Sequence, residues 1–307
     1  MKWPDELIFI PNSRMVQKTT TARMDERLCV VTGATSGVGY HAAKRLAEGG
    51  ARLVLVCRNA EKGTRVKHEL ENEHQTSVRI LQADFSRLAE VRKTAAVILE
   101  ENPRIDVLIN NAGIHNTRRT LTENMVETVF CVNHLASFLF TRLLMPRILK
   151  SAPARIIQVN SQGHRFGGLD LTDLHWNKRR YRGLQGYGAS KVAQLLTVWE
   201  LADRLKGTGV TINAMHPGAV RTNIGMNNGL LYQWYQRYLL WPMLKDPRIS
   251  GEAIYYLAAA PEMAAVSGRF FNLTVDEKPA VHALDRALGK QIWQVSEELT
   301  GLAETKG

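Results

Sequence analysis

Residues 185–194 read QGYGASKVAQ, which places Tyr187 four positions before Lys191. Ala193, Leu195, Leu196 and Trp199 follow at helical spacing, so the phenol and the ammonium belong one above the other on a single helical face. A phenol titrates near 10 and is a poor proton carrier at neutral pH. A fixed positive charge beside it favours the anion, at roughly 1.4 kcal/mol per pKa unit. Such a pair could donate a proton to a developing alkoxide and take one back from an alcohol. The same spacing is common on solvated helices, so the pair acquires meaning only from the rest of the chain.

A second stretch supplies a partner chemistry. TGATSGVG, Thr32 to Gly39, stands directly between an apolar run, LCVVT, and a helical segment, YHAAKRLAEGG. Gly33, Gly37 and Gly39 permit a tight turn, with Thr35, Ser36 and Val38 between them, and let backbone approach a ligand closely. The helix that follows offers free N–H groups and positive dipole to a pyrophosphate. A glycine turn in the first strand–helix unit is the context a dinucleotide site requires. The second strand ends in Cys57 and Arg58 where a ribose-binding carboxylate would stand, and an arginine there can pair with a 2′-phosphate. The expectation is NADP(H) in preference to NAD(H). Asp84 closes the third strand, where it could meet the adenine. NNAG, containing Asn111, Ala112 and Gly113, closes the fourth, with Gly113 allowing close approach to the cofactor.

These residues need a scaffold, and the chain has the rhythm of one. Short apolar runs at 28–32, 52–57, 78–83, 105–110, 154–159, 210–215 and 268–273 read as buried strands. Helical periodicity fills the gaps: Ala42 to Leu46, Glu61 to Leu70, Leu88 to Leu99, Met125 to Leu149, Val192 to Leu205 and Glu252 to Leu257. The alternation predicts an α/β fold, a single Rossmann-type doubly wound parallel sheet of about seven strands with helices on both faces. Residues 1–26 read as an N-terminal arm outside the fold, 27–290 as the dinucleotide-binding domain and 291–307 as a C-terminal tail. Within the domain, 223–250 crowds Tyr232, Trp234, Tyr235, Tyr238 and Trp241. It reads as a surface helix on the core, a lid over an apolar substrate, or a patch resting on a membrane.

Bulk properties bound the alternatives. The 307 residues are 45% hydrophobic and 22% charged, ordinary globular composition. The net charge of +11 favours anionic ligands, yet it is dispersed, and its densest clusters, 116–119 and 177–182, match no nucleic-acid-binding pattern. No nucleic-acid partner is expected. Cys29, Cys57 and Cys131 form no C-x-x-C pair and read as small buried hydrophobes in a reducing compartment. No His/Cys/Asp cluster has metal-ligand spacing. There is no apolar run of about 18 residues for a spanning helix and no secretory signal. The expected location is cytoplasmic, with peripheral membrane contact left open.

Together the motifs resemble the short-chain dehydrogenase/reductase superfamily in its classical branch, over roughly residues 27 to 290. TGATSGVG, NNAG, YGASK at 187–191 and HPGAV at 216–220 occur in that family's order and approximate spacing. CRN, FCVNHLASFLFT, the insert between Ser161 and Tyr187, and SGRFF are similar to the retinol dehydrogenase group. The resemblance implies a tetrad. Tyr187 would be the general acid/base, and Lys191 would lower its pKa and hold the nicotinamide ribose. Ser161 would bond the substrate oxygen, and Asn133 would bend its helix and support a water-linked proton relay to Lys191. Pro217 and Gly218, with Val220 in the same turn, would lie against the nicotinamide, and Thr222 near its carboxamide or the phosphates. Where relatives often carry two serines this chain has Asn160 then Ser161. The implied activity is interconversion of an alcohol and an aldehyde or ketone on a small apolar substrate, retinoid-, steroid- or lipid-like. The assembly implied is a homodimer or homotetramer. A non-catalytic dinucleotide sensor or scaffold on the same fold is the alternative; such proteins commonly lose the Tyr or Lys retained here. His134 and His164 lie near the site by sequence and read as structural.

Overall fold

A computed structural model of the protein describes residues 9–12, 15–221, 224–225, 228–229 and 244–303. Eight strands form one sheet: β1 (Leu28–Thr32), β2 (Arg52–Cys57), β3 (Val78–Gln82), β4 (Val107–Asn110), β5 (Ala154–Val159), β6 (Val210–His216), β7 (Phe270–Asn272) and β8 (Val275–Asp276). Their order is β3-β2-β1-β4-β5-β6-β7-β8. Every pairing is parallel except β7 with β8. The count exceeds the expected seven by β8, two residues too short to carry a hydrophobic pattern.

Strands covered on both faces need apolar residues at every position, which is why β1 reads Leu-Cys-Val-Val. Val30 and Leu108 point into one core with Phe140, Leu196 and Trp293; Cys29, Val31 and Ile109 point into the other with Leu46, Leu70 and Ile254. The first core is covered by α3 (Leu88–Glu101), α4 (Thr128–Lys150), α5 (Gly183–Arg204) and α7 (Arg286–Leu299). The second is covered by α1 (Gly37–Glu48), α2 (Ala60–His74) and α6 (Arg248–Ala259). Strand order reverses between β1 and β4, and in an open parallel sheet the carboxyl ends of the strands part there into a crevice.

Two expectations are corrected. Residues 18–24, placed in the expected arm, pack on the domain: Met24 is buried, Tyr255 donates to the Ala22 carbonyl at 2.6 Å, and the Lys18 amide donates to Thr274 Oγ1 at 2.8 Å. The boundary at 290 falls inside α7, whose Gly289, Ile292, Trp293 and Ser296 are buried at helical spacing against α5. Asp285 caps α7, accepting from the Ala287 and Leu288 amides. Helix α4 is long and apolar enough by composition to cross a membrane, although 83% of its most apolar window is buried inside the fold. It is a core helix. Residues 230–243, which carry the aromatic cluster expected to form a lid, lie outside the described residues, as does Thr222.

Candidate active site

A cleft of about 1300 Å³ runs along the carboxyl ends of β1 to β6. That exceeds the roughly 300–1,000 Å³ of an ordinary small-molecule site, leaving room for a dinucleotide and a second molecule. One end is lined by Arg58, Lys62 and Asp84, the middle by Thr35, Ser36, Gly37 and Val38, and the other end by Ser161, Tyr187 and Lys191.

The glycine loop is shaped from behind. Thr32 Oγ1, at the tip of β1, accepts the Asn111 and Ala112 amides at 2.9 and 3.0 Å, and the Asn111 side chain donates to the Thr32 and Gly33 carbonyls. Gly33 and Gly37 have φ of +69° and +54°, in the left-handed region that a side chain strains. A Cβ on Gly39 would collide with the Asn111 amide. Asn111, expected at the cofactor, thus holds the loop's turn while also lining the cleft. Ser36 is extended at the N-cap of α1 with no side-chain cap bond, so its hydroxyl and the first amides of the helix are available to an anion. This cradle fits a pyrophosphate. Arg58 stands exposed at the first end of the cleft, and Lys62 lines it as a second cation that sequence reading passed over. Asp84 accepts from the Ser86 amide and hydroxyl at 2.9 and 2.8 Å. At the other end Pro217, Gly218 and Val220 line the cleft after β6, Gly218 with φ of +84°.

Helix α5 begins at Gly183, earlier than the apolar periodicity indicates, so Tyr187 and Lys191 share a helical face. The ammonium lies 5.6 Å from the centre of the Tyr187 ring. The early start works because glycines allow a tight seam. A Cβ on Gly188 would stand 2.7 Å from the Gly163 carbonyl, and one on Gly163 2.7 Å from Tyr187 Cε1. Ser161 lies two residues past β5, its amide donating to Asn160 Oδ1 at 2.8 Å and its hydroxyl accepting from the Gly163 amide at 3.0 Å. Asn160, in place of a first serine, ties strand to helix: its side-chain amide donates to the Lys191 carbonyl and to Gln194 Oε1, both at 3.0 Å.

Asn133 sits in a π-helical segment, Cys131–Leu135, within α4, which is the expected local bend. Its side chain accepts from the Ile114 amide at 2.8 Å and donates to the Ile114 carbonyl and Ser190 Oγ. Lys191 does not meet it directly. The buried ammonium donates to the Val159 carbonyl at 3.1 Å and to Gln194 Oε1 at 3.0 Å, and the Gln194 amide in turn donates to the Asn133 carbonyl. Gln194 was missed by sequence reading, although its place three residues after Lys191 puts it on the same helical side. His115 was missed too; its ring stands edge-on to Tyr187 at 5.6 Å.

In the protein alone burial sets the electrostatics of the pair. Burial pushes the Tyr187 phenol up to about 12, with a hydrogen bond to Ser161 working the other way. Burial also pulls Lys191 down to about 7. Desolvation moves both groups toward their neutral forms, and the ammonium's hydrogen bonds run to Val159 and Gln194. His164 and His134 are structural, as expected. His164 donates from Nδ1 to the Ser161 carbonyl and accepts the Ala280 amide at Nε2, and His134 pairs with Ser296 Oγ. Both are held neutral by burial, at about 3. Among the described residues no group of His, Cys, Asp or Glu is arranged to hold a metal.

The family model for short chain dehydrogenase matches residues 27–230. The chain is 38% identical over 288 residues to human retinol dehydrogenase 13, covering 92% of this chain and 86% of that one. It is 39% identical over 291 residues to bovine dehydrogenase/reductase SDR family member 13, covering 92% and 75%. A solved structure of an uncharacterised Mycobacterium paratuberculosis protein superposes with a TM-score of 0.74 at 28% identity, covering 93% of this chain and 98% of that one. The chain belongs to the short-chain dehydrogenase family, with a retinol dehydrogenase-like relationship. It is an oxidoreductase of the alcohol/carbonyl couple, and the family implies a nicotinamide dinucleotide.

Proposed function

We propose that the protein uses NADP(H) to interconvert an alcohol and an aldehyde or ketone on an apolar, retinoid-, steroid- or lipid-like substrate, with Tyr187 as general acid/base. The observation that carries the reading is the convergence of Ser161, Tyr187 and Lys191 on one end of a cleft whose other end holds a glycine cradle and Arg58. The cradle of Gly33, Ser36 and Gly37 would take the pyrophosphate, and Arg58 with Lys62 a 2′-phosphate. Lys191, with two of its three N–H donors engaged, has one for a ribose hydroxyl. The nicotinamide supplies the hydride.

The chain's own residues handle the oxygen. In reduction, negative charge builds on the carbonyl oxygen as carbon is attacked. Ser161 Oγ offers it a hydrogen bond and Tyr187 gives it a proton; in oxidation Tyr187 takes the proton back. The protein alone leaves the phenol near 12, so the downward tuning that oxidation needs falls to the positive nicotinamide and to Lys191 once the cleft is filled. The apolar preference is supported by Ile114, Ile224 and Leu244, which line the cleft, and by the names of the relatives. Buried free thiols at Cys29, Cys57 and Cys131 suit a reducing compartment. The test is turnover of NADPH by purified protein with long-chain aldehydes, retinal and steroid ketones. Activity confined to apolar carbonyls is expected; tight NADPH binding with no turnover on any of them contradicts the reading.

A further inference from the structure

The Gln194 side chain is 1% exposed in the middle of α5, and each of its polar atoms is committed. Oε1 accepts from Lys191 Nζ and from Asn160 Nδ2, both at 3.0 Å, and Nε2 donates to the Asn133 carbonyl. Ser137 Oγ stands 2.9 Å from that carbonyl and 3.0 Å from the His134 carbonyl, sharing its one proton between them. Reversing the amide would set its NH₂ against an ammonium and another NH₂, and its oxygen against a carbonyl. The three partners therefore fix its orientation. A neutral amide accepts the ammonium's hydrogen bond but neither takes nor passes on a proton at neutral pH.

We infer that Gln194 is a positioning residue for Lys191. Its amide bridges the ammonium and the Asn133 carbonyl and, together with the Val159 carbonyl, fixes where the ammonium stands. The inference rests on the catalytic reading above for its consequence in turnover, while the placement of the ammonium can be measured without turnover. The groups around Lys191 make the measurement clean. The ammonium meets Val159 from β5 and Gln194 from α5, Asn160 just past β5 donates to the Lys191 carbonyl, and Asn133 is reached only through Gln194, none of them titratable. Tyr187, with His115 edge-on to it, is the titrating neighbour.

The test compares the full-length protein with Gln194→Met, which keeps length but loses the acceptor, and Gln194→Glu, which keeps the acceptor and adds charge. Without cofactor, Lys191 is labelled with acetic anhydride across pH and read by mass spectrometry. Gln194→Glu is expected to move the labelling midpoint upward by about one to three pH units, because a carboxylate in contact favours the ammonium; Gln194→Met is expected to move it downward. In NADPH-dependent turnover both variants should lose about 10- to 100-fold in kcat with little change in substrate KM, and the pH limb should move in the same two directions. Should Gln194→Met fail to fold, the near-isosteric Gln194→Glu decides alone. Unmoved midpoints and unmoved pH limbs in folded variants, with Tyr187→Phe inactive, overturn the inference and leave the catalytic reading standing. Shifted midpoints with a Tyr187→Phe protein as active as wild type uphold the placement of Lys191 and overturn the catalytic reading instead.

Discussion

The seam between Gly163 and the Tyr187 ring offers a perturbation whose size can be worked from distances. A methyl group on Gly163 would lie 2.7 Å from Cε1 and 2.9 Å from Cδ1 of Tyr187, where ordinary contact begins at 3.4 Å. To accept Gly163→Ala the ring must recede by roughly 0.7 Å, since strained backbone is the alternative and overpacking costs about 1–3 kcal/mol. The ring can yield because it is only half-buried and faces the cleft. Misplacing a reacting group by about 1 Å can cost on the order of 100-fold in rate, so kcat should fall by about 10- to 100-fold. The cradle of Gly33 to Gly39 is untouched, so NADPH affinity should be unchanged. The assay pairs steady-state NADPH oxidation with NADPH binding by fluorescence titration and a thermal melt. A Gly163→Ala protein that folds and turns over at the wild-type rate would refute the account of how the phenol is positioned. Equal losses in cofactor affinity and rate would do the same.

Further outcomes follow from other parts of the molecule. Arg58→Ala should weaken NADPH binding by about 10- to 100-fold and leave NADH nearly untouched, consistent with loss of a charge-assisted contact of about 1.5–3 kcal/mol; equal losses for both would remove Arg58 from recognition of the 2′-phosphate. Trp293→Ala should destabilise the protein by about 3–5 kcal/mol, read from denaturant midpoints, because the indole is 2% exposed between Phe138 and the guanidinium groups of Arg142 and Arg204. An unchanged midpoint would show α7 to be dispensable. His134 and His164 are held neutral with folded values near 3, well below the free imidazole. The unfolded chain therefore binds more protons as pH falls below about 6.5. Stability should be fully present above that pH and drop by up to about 1.4 kcal/mol per pH unit for each histidine between pH 6.5 and 5. Urea midpoints that stay flat across that window would contradict their burial as neutral rings.

Much of this was legible in the sequence where the physics is local. Continuous apolar runs such as LCVVT and RLVLVC give strands buried on both faces, and β1, β2 and β5 end where the runs end. The glycine cradle, Ser161, Tyr187 and Lys191 are legible because each sits at a strand end or a fixed helical spacing. The start of α5 was not legible, since Gly183, Gly186 and Gly188 look like loop residues until Asn116 and Thr117 are seen packed on the first, Tyr181 on the second, and Gly163 and Gly167 on the third. The helix α7 was cut at 290 because two of its four buried positions are Gly289 and Ser296, which dilute the apolar stripe. The role of Gln194 depends on β5, α5 and the π-helical segment meeting at one amide, and the direction of the Tyr187 shift depends on burial. Neither is written in residue spacing.

The central claim is that the Tyr187 phenol exchanges the proton that accompanies hydride transfer. It is tested most directly by single-turnover absorbance measurements at the NADPH band, comparing wild type and Tyr187→Phe with a saturating apolar aldehyde. The account predicts that both proteins bind NADPH alike and that Tyr187→Phe oxidises it about 100- to 10,000-fold more slowly. A Tyr187→Phe protein that consumes NADPH at the wild-type rate would contradict it.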